Sequence, residues 1–303
     1  MTAFADLHHH PEEPLLLPNA WDHASATALA AQGFRAIGTT SLAVSAAVGL
    51  PDGSPATREH TLQLALTLGT EPFLLSVDAA DGFSEDPKRV AELARELSVV
   101  GAAGINLEDG LGPVALHARK IAAVKSAAPA LFVNARTDTY WLGDGGVSKT
   151  LTRLDAYQQA GADGVFVPGL TDPAQITALV KRLAVPLNIL YSPTGPTVPH
   201  LTDLGVRRVS LGSLLYRRAL GAALETVREI RAGRSVRGAA PSYAEVEAWS
   251  ASPGGGRKQR LNKPFGEGAR VLDGTDVPAG ELDEVAAGPL RDELGGAMEE
   301  LPP

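Results

Sequence analysis

Residues 101–110 read GAAGINLEDG, and residues 160–169 repeat the same plan as AGADGVFVPG. Each stretch follows a segment with helical periodicity, passes through small residues and continues into a short apolar run. Such a helix–glycine–strand junction is typical of proteins in which helices alternate with parallel strands. The two copies therefore predict a chain built from repeated βα units.

Outward from these two copies, eight short runs of apolar and β-branched residues are predicted to be strands. Most of them are apolar throughout rather than alternating, which is typical of parallel strands covered on both faces. The predicted strands are 15–18, 34–41, 73–79, 104–109, 131–138, 164–169, 186–192 and 207–213. Eight strands separated by helices favour a closed α/β fold, the (β/α)8 TIM-type barrel. An open α/β sheet is the alternative.

Two of the intervening helices carry the same start signal. Asp86–Pro87 and Asp172–Pro173 each place a good N-cap residue before a proline at the first helical position. The first of these helices is predicted over 88–100 and ends at Gly101. Its apolar stripe, one face of a helix, consists of Val90, Leu93, Ala94 and Leu97.

The chain is predicted to divide into a barrel domain, residues 1–250, and a tail, residues 251–303. The barrel domain ends in a C-terminal helical extension, a long helix over 213–233 and a short one near 242–249. Gly and Pro supply 16 of the last 53 residues, and acids outnumber bases there. Such a composition predicts disorder in the tail, with short helices at 281–287 and 290–298 at best.

Composition excludes several classes of function. The net charge is −8, whereas nucleic-acid binding needs a concentrated basic face. The chain has no cysteine, which excludes disulfides, thiolate metal sites and a cysteine nucleophile. No apolar run approaches the roughly 18 residues of a membrane span, and the first 20 residues show no secretion signal. We therefore expect a cytoplasmic protein without nucleic-acid or membrane partners. The run His8–His10 is predicted to lie at the surface.

Polar residues at the predicted strand ends are the candidates for chemistry, because the active sites of barrels lie at that face. Asp78 and Glu108 end neighbouring strands, and carboxylate oxygens without nearby Cys or paired His suit a hard ion such as Mg2+. Arg136, on the next strand, could hold a substrate carboxylate through two hydrogen bonds. The turn Thr39–Ser41 offers hydroxyls and backbone N–H groups to a second acidic group.

Structural roles compete with these functional ones. Acids at strand ends often cap helices or form ion pairs, and for Asp109 and Asp138 we favour that interpretation. Trp141 and Tyr191 could line the mouth of the site or simply pack.

Taken together, several motifs resemble the isocitrate lyase / phosphoenolpyruvate mutase superfamily. The resemblance covers roughly residues 4–250 and is closest to the short phosphoenolpyruvate-mutase-like, or carboxyphosphonate-mutase-like, branch. The motifs are LPNAWD (17–22), GFRAIGTTSLAVSAAVGLPDG (33–53), VDAADGF (77–83), GAAGINLEDG (101–110), NARTD (134–138), AYQQAGADGVFVPG (156–169), PLN (186–188) and LGVRRVSLGS (204–213).

The resemblance implies a barrel whose last helix is swapped between subunits of a homodimer or homotetramer. It also implies Mg2+, a small 2-oxo or 2-hydroxy carboxylate substrate and an enolpyruvate-like intermediate. Carried over by motif, the substrate-binding residues are Thr40, Ser41, Leu42 and Asn188, with Arg136 as the substrate arginine. Acids of the metal shell are Asp52, Asp78 and Glu108, and Trp21, in the opening motif, is a further expected substrate-binding residue.

Three departures from the family pattern bear on function. Ala80 stands where the family usually has a second acid after strand 3, and Asp81 follows it. Only Gly110–Val114 separates strand 4 from the next helix, so the gating loop of the lyases and its cysteine acid are missing, as is the mutase's Asn-bearing loop. After strand 6, Pro168 and Gly169 replace the family's His or Glu.

These residues favour an Mg2+-dependent lyase or decarboxylase acting on a small 2-oxo or 2-hydroxy acid. Its proton transfer would have to come from Asp52, Asp81 or water. A true isocitrate or methylisocitrate lyase is not expected without the cysteine acid. The alternatives are a phosphoenolpyruvate/phosphonopyruvate mutase-type enzyme, an enzyme with a dedicated secondary-metabolite substrate, or a barrel that binds a small acid or scaffolds an assembly without turnover.

Overall fold

Proline 18 divides the first strand of the sheet into two short pieces. In the computed structural model, which describes residues 2–10, 13–143 and 145–250, β1 is Leu15–Leu17 and β2 is Asn19–Ala20. β1 pairs in parallel with the last strand, β9 (Arg208–Ser210), and β2 pairs in parallel with β3 (Ala36–Thr39). Because these two pieces are consecutive in the chain, their pairings join the two ends of the sheet into a ring.

The remaining strands complete the ring. All neighbouring strands are parallel, and their order is β1-β9-β8-β7-β6-β5-β4-β3-β2. This order confirms the predicted barrel and excludes the open sheet. The remaining strands are β4 (Leu74–Asp78), β5 (Ala102–Glu108), β6 (Phe132–Arg136), β7 (Gly164–Val167) and β8 (Leu187–Leu190).

Helices alternate with the strands. Asp86 and Asp172 cap their helices as predicted, their carboxylates accepting from the backbone N–H of Lys88 and Gln175. The two C-terminal helices also lie within their predicted segments. The helices are α1 (Ala3–Asp6), α2 (His23–Ala31), α3 (Ser41–Ala47), α4 (Arg58–Leu68), α5 (Pro87–Val99), α6 (Val114–Ala127), α7 (Val147–Gln159), α8 (Pro173–Val180), α9 (Val198–Asp203), α10 (Leu214–Arg231) and α11 (Tyr243–Ser250).

The main core lies between the strands and the surrounding helices. On β5, Ile105 and Leu107 belong to this core. Asn106 and Glu108 alternate with them, and side chains of successive strand residues point to opposite faces, so these two polar residues face the barrel interior. None of the helices within the described residues is long and apolar enough to cross a membrane.

Helix α1 packs against the amino ends of the strands. Phe4 is 1% exposed and packs edge-on against Phe132, while His8 stacks on Phe132 at 4.2 Å between ring centroids. A Cβ on Gly104 would lie 2.7 Å from the Phe4 ring, so only glycine fits at this point of β5. The prediction that His8–His10 lies wholly at the surface is wrong for His8, which is 1% exposed because its ring completes this aromatic cluster. His9 and His10 are exposed as predicted.

The predicted tail, residues 251–303, lies outside the described residues, as do the short helices predicted within it.

Candidate active site

A cavity of about 190 Å³ opens where the strands end. It is smaller than the roughly 300–1,000 Å³ of sites for drug-sized ligands, so its size suits a small metabolite. Of the predicted site residues, the structure brings six together at its wall: Thr40, Ser41, Leu42, Asp52, Asp78 and Arg136. Trp141 and Tyr191, for which packing was the alternative, line the cavity too.

Arg136 is a cation at the wall of the site. Its Nη1 lies 2.6 Å from Oε2 of Glu108, and its Nε donates to Oδ1 of Asp138 at 2.7 Å. The guanidinium carbon also lies 5.9 Å from the centre of the Phe166 ring. The side chain is 16% exposed. Two neighbouring acids and one aromatic face thus fix the direction in which Arg136 presents its remaining donors.

Glu108 is the acid most perturbed by its surroundings. Burial raises its pKa to about 8, although the charge of Arg136 acts in the opposite direction. The nearby carboxylates of Asp78, Asp138 and Asp52 also raise the pKa. These acids are therefore close enough to interact with Glu108.

Asp78 connects the end of β4 to the turn that begins α3. The backbone N–H of Asp78 donates to the hydroxyl of Thr39 at 2.9 Å, and the Asp78 carboxylate accepts from the N–H of Ser41 at 3.0 Å. Thr40 is the N-cap residue of α3, yet its side chain makes no capping hydrogen bond. Its hydroxyl therefore remains available at the cavity wall.

Asp109 has the structural role favoured by sequence. Its buried carboxylate accepts from Tyr157 at 2.7 Å, from Arg153 at 2.8 Å and from the N–H groups of Leu111 and Asp138 at 3.0 and 3.1 Å. Arg153 also donates to the carbonyls of Leu111 and Gly112. These hydrogen bonds hold the short loop after β5 in place. Helix α6 begins at Val114, so the short connection predicted from sequence is confirmed.

The structure turns Asp81 away from the cavity. Its carboxylate lies 3.5 Å from the Lys120 ammonium and accepts from the N–H of Phe83. Ala80, at the position where the family has an acid, is buried in the core with a left-handed φ of 47°. The loop after β4 therefore supplies no second carboxylate to the site.

Three further predicted residues are not part of the cavity wall. Glu108 lies behind it, paired with Arg136. Trp21 packs edge-on against Tyr216 and lines a separate apolar groove between α2, α10 and α11. Asn188 is 1% exposed inside the barrel, where its amide donates to the Ser210 hydroxyl at 3.0 Å.

Sequence reasoning overlooked several residues of the wall, among them Asn19, Asn106, Phe166 and Arg217. One signal could have found Asn106. It lies two residues before Glu108 on the same strand, and residues two apart on a strand share a face. Arg217 lies just inside α10, where the strand pattern gives no information.

The profile of the phosphoenolpyruvate phosphomutase family matches residues 4–231. The chain belongs to this family. Among its relatives, an uncharacterized protein of Mycobacterium tuberculosis is 45% identical over 251 residues, which are 81% of this chain and 95% of that protein. The 2-methylisocitrate lyase of Bacillus subtilis is 30% identical over 205 residues, 62% of this chain and 66% of the lyase.

A solved structure of a lyase/mutase-type protein from Burkholderia cenocepacia matches this phosphomutase-family barrel with a TM-score of 0.75. The two are 34% identical, and the match covers 83% of this chain and 95% of the other. These findings confirm the predicted superfamily and its barrel, and they make the chain a member of a family of enzymes.

The donor set of this family member fits a hard divalent cation. Asp78 and Glu108 offer carboxylate oxygens, and Asp52 and Asp138 add negative charge close to Glu108. The described residues contain no group of three or more His, Cys, Asp or Glu side chains that could hold an ion between them. An ion here would therefore take few protein oxygens and complete its shell with water or ligand, as Mg2+ commonly does.

Proposed function

We propose that the chain is a metal-dependent lyase that cleaves a carbon–carbon bond in a small 2-oxo or 2-hydroxy carboxylate. The observation that carries this proposal is Arg136, a mostly buried guanidinium at the wall of a small cavity, held by Glu108 and Asp138. A guanidinium in this setting recognises a carboxylate through two parallel hydrogen bonds. The membership of the chain in a family with lyases among its relatives supports the reaction type.

The metal would be Mg2+, held by Asp78 and Glu108. When bound, it would supply positive charge to the oxygens of a 2-oxo acid and stabilise the enolate that bond cleavage leaves behind. Mg2+ prefers oxygen ligands such as these carboxylates. It also commonly keeps several bound waters, which agrees with the small number of protein ligands here.

The side chains of the cavity would then perform the remaining tasks. Arg136 would hold one substrate carboxylate, and the Thr40–Ser41 turn would hold a second acidic group. Loss of CO2 from a 2-oxo acid leaves an electron pair on the carbon next to the 2-oxo carbon. In a retro-aldol step on a 2-hydroxy acid, water or Asp52 would take the hydroxyl proton, that oxygen would become the new carbonyl, and the electron pair would stay on the released carbon. In both cases that carbon must receive a proton. Asp52 is exposed at the cavity wall and would transfer this proton from solvent. Asp81 has no part in this mechanism, because it pairs with Lys120.

The expected bond cleavages are loss of CO2 from an oxaloacetate-like acid or a retro-aldol step. Because the chain has no cysteine, the proton that completes either cleavage would come from Asp52 or water. The loop after β5 is too short to close over the cavity. We therefore expect water to be excluded from the cavity less completely than in enzymes with a long gating loop.

The test is a panel of 2-oxo and 2-hydroxy di- and tricarboxylates, assayed for pyruvate, glyoxylate or CO2 with Mg2+ and with EDTA. We expect product from one acid, abolished by EDTA. Arg136→Met should lower kcat/KM by about 30-fold or more, since truncation of one partner of a buried, hydrogen-bonded charge pair costs about 2–5 kcal/mol. Arg182→Met, on the exposed far side of the chain, is the matched control and should leave turnover unchanged.

Three other results are possible, and each has a different meaning for the proposal. Full turnover in Arg136→Met would refute the role of Arg136. Absence of product together with absence of Mg2+ binding would favour a barrel that binds or scaffolds without catalysis. Mg2+ binding without product from this panel would point to a dedicated substrate or a mutase reaction.

We also propose that a second copy of the chain covers helix α10, as expected for a homodimer or homotetramer with a swapped helix. Leu220, Leu224, Val227 and Ile230 form a stripe at helical spacing, and each is between 48% and 62% exposed. Such a stripe on a helix needs a partner surface. Light scattering should show that the native protein is a dimer or a larger assembly. Leu224→Asp should dissociate this assembly, whereas the control Arg231→Glu should not. A monomeric native protein would refute the proposed contact.

A further inference from the structure

A fully buried arginine lies inside the barrel beneath the cavity. Arg208, on β9, is 0% exposed, and among the described residues no carboxylate forms an ion pair with it. Its Nε donates to the hydroxyl of Ser210 at 3.0 Å, and its Nη2 donates to Oδ1 of Asn106 at 3.1 Å. Its Nη1 is buried without a hydrogen-bond partner. Burial of a cation with so little compensation is costly for stability.

Arg208 keeps its charge at neutral pH. Burial lowers its pKa to about 9, still above neutrality, and the nearby charge of Asp78 acts in the opposite direction. His8, on the opposite side from the cavity, is held neutral, since burial and the charge of Arg208 lower its pKa to about 3. Among these groups Asp78, on the cavity side, supplies the opposite charge to Arg208.

Arg208 also donates from its Nη2 to the hydroxyl of Ser76 at 3.5 Å. Its two closer partners, Asn106 and Ser210, form part of the cavity wall. The Ser210 oxygen already accepts from Arg208 and from the amide of Asn188. A hydroxyl oxygen has two lone pairs, so Ser210 can only donate to a further group. In the same way, Oδ1 of Asn106 accepts from Arg208 and from Asn134 at 2.8 Å.

The orientation of the Asn106 amide is fixed by this arrangement. A guanidinium has donors and no acceptor, so the Asn106 atom facing Arg208 must be the oxygen. The NH2 group of Asn106 has no partner within the part of the chain that the structure describes. Asn106 and Ser210 thus offer only donors to a ligand in the cavity.

We propose that Arg208 makes this floor a subsite selective for an anionic oxygen, such as a carboxylate oxygen of the substrate or the oxygen of its enolate. Arg208 acts as a positioning residue: it saturates the acceptors of Asn106 and Ser210, and its charge strengthens their donors. An amide NH2 in the same place would face donors without an acceptor, which is unfavourable in a buried site. The chemical nature of the ligand rests on the proposed function, whereas the donor-only character of the floor does not.

The experiment compares oxalate with oxamate, in which one carboxylate is replaced by an amide. Calorimetry measures both affinities, with Mg2+ and with EDTA, for the native protein, Arg208→Met and Arg208→Lys. In Arg208→Met we expect oxalate to bind about tenfold more weakly or worse, and the preference for oxalate over oxamate to shrink by a similar factor. Arg208→Lys keeps the charge and should retain part of the preference. Arg182→Met is again the control, with native affinities expected.

A purely structural role for Arg208 predicts a different pattern. It would lower the melting temperature of Arg208→Met and leave the ratio of the two affinities unchanged. We expect an unchanged or higher melting temperature, because an apolar side chain of similar length avoids burial of a charge. If Arg208→Met does not fold, Ser210→Ala decides: a several-fold loss of oxalate affinity supports the subsite, and an unchanged affinity overturns it.

The two proposals fail in different ways. A native protein that binds neither oxalate nor any 2-oxo acid of the panel would overturn the proposed function and this subsite with it. Oxalate binding to the native protein, with an unchanged ratio in Arg208→Met, would overturn the subsite alone.

Discussion

Loss of Arg153 should destabilise the barrel, because it leaves the Asp109 carboxylate buried without its cation. The Asp109 side chain is 0% exposed, and its hydrogen bonds lower its pKa against the effect of burial, so it is ionised at neutral pH. Removal of one partner of a buried ion pair costs about 3–5 kcal/mol. For a domain of this size, each kcal/mol corresponds to about 2–4 °C in melting temperature, so Arg153→Met should melt about 6–20 °C lower.

The partner substitution should cost less. In Asp109→Asn, Arg153 still donates to the carbonyls of Leu111 and Gly112 and is 10% exposed to water. The double variant Arg153→Met/Asp109→Asn has no buried unpaired charge, so it should recover part of the stability that Arg153→Met loses. Contacting residues of one network commonly couple by about 0.5–3 kcal/mol, and we expect a value near the upper end.

Urea unfolding of the four proteins at pH 7 in EDTA measures this coupling. The same variants also report on the site, because Asp109 accepts from the N–H of Asp138 and so ties the end of β5 to the end of β6. Loosening this tie should lower kcat more than it raises KM. A cost below about 1 kcal/mol for Arg153→Met, or strictly additive single variants, would refute this account of the loop.

Three further predictions concern backbone, pH and metal. Gly101→Ala should lower the free energy of unfolding by more than about 2 kcal/mol, because φ is +104° and a Cβ would lie 2.2 Å from the Gly69 carbonyl oxygen. The control Gly33→Ala, where φ is +90° and the space around a Cβ is open, should lower it by only about 1 kcal/mol. Equal losses in the two variants would contradict the steric argument. Burial lowers the pKa of His117 to about 4, so as pH falls below 6.5 the unfolded state takes up the proton first and the native protein loses about 2 kcal/mol by pH 5. His117→Leu should remove this part of the pH dependence in urea titrations at pH 7 and 5; an unchanged slope would show that His117 is protonated in the native state. Mg2+ should raise the melting temperature of the native protein but not of Asp78→Asn, and an equal rise in both would exclude Asp78 as a ligand.

The order of strands and helices could be predicted from the sequence because each βα unit is encoded locally. Apolar runs between Gly and polar residues marked the strands, and Asp86–Pro87 and Asp172–Pro173 marked helix starts that the structure confirms. The parallel arrangement then placed all strand ends at one face, which is why Asp78 and Arg136 could be predicted to share a site.

The direction of individual side chains required the tertiary structure. Asp81 and Asp78 lie three residues apart, yet a loop with positive φ at Ala80 turns Asp81 to Lys120. His8 belongs to a polar segment that suggests the surface, but helix α1 places it on Phe132.

The polar residues inside the barrel show most clearly what the sequence determined and what required the tertiary structure. The sequence by itself determined that polar residues occur on β5, β6, β8 and β9, and it indicated a barrel. Only the closed ring brings Asn106, Asn134, Asn188 and Arg208, which are up to 102 residues apart, into one hydrogen-bonded network. Which donors and acceptors remain for a ligand depends on pairings between distant strands, and no local pattern encodes those pairings.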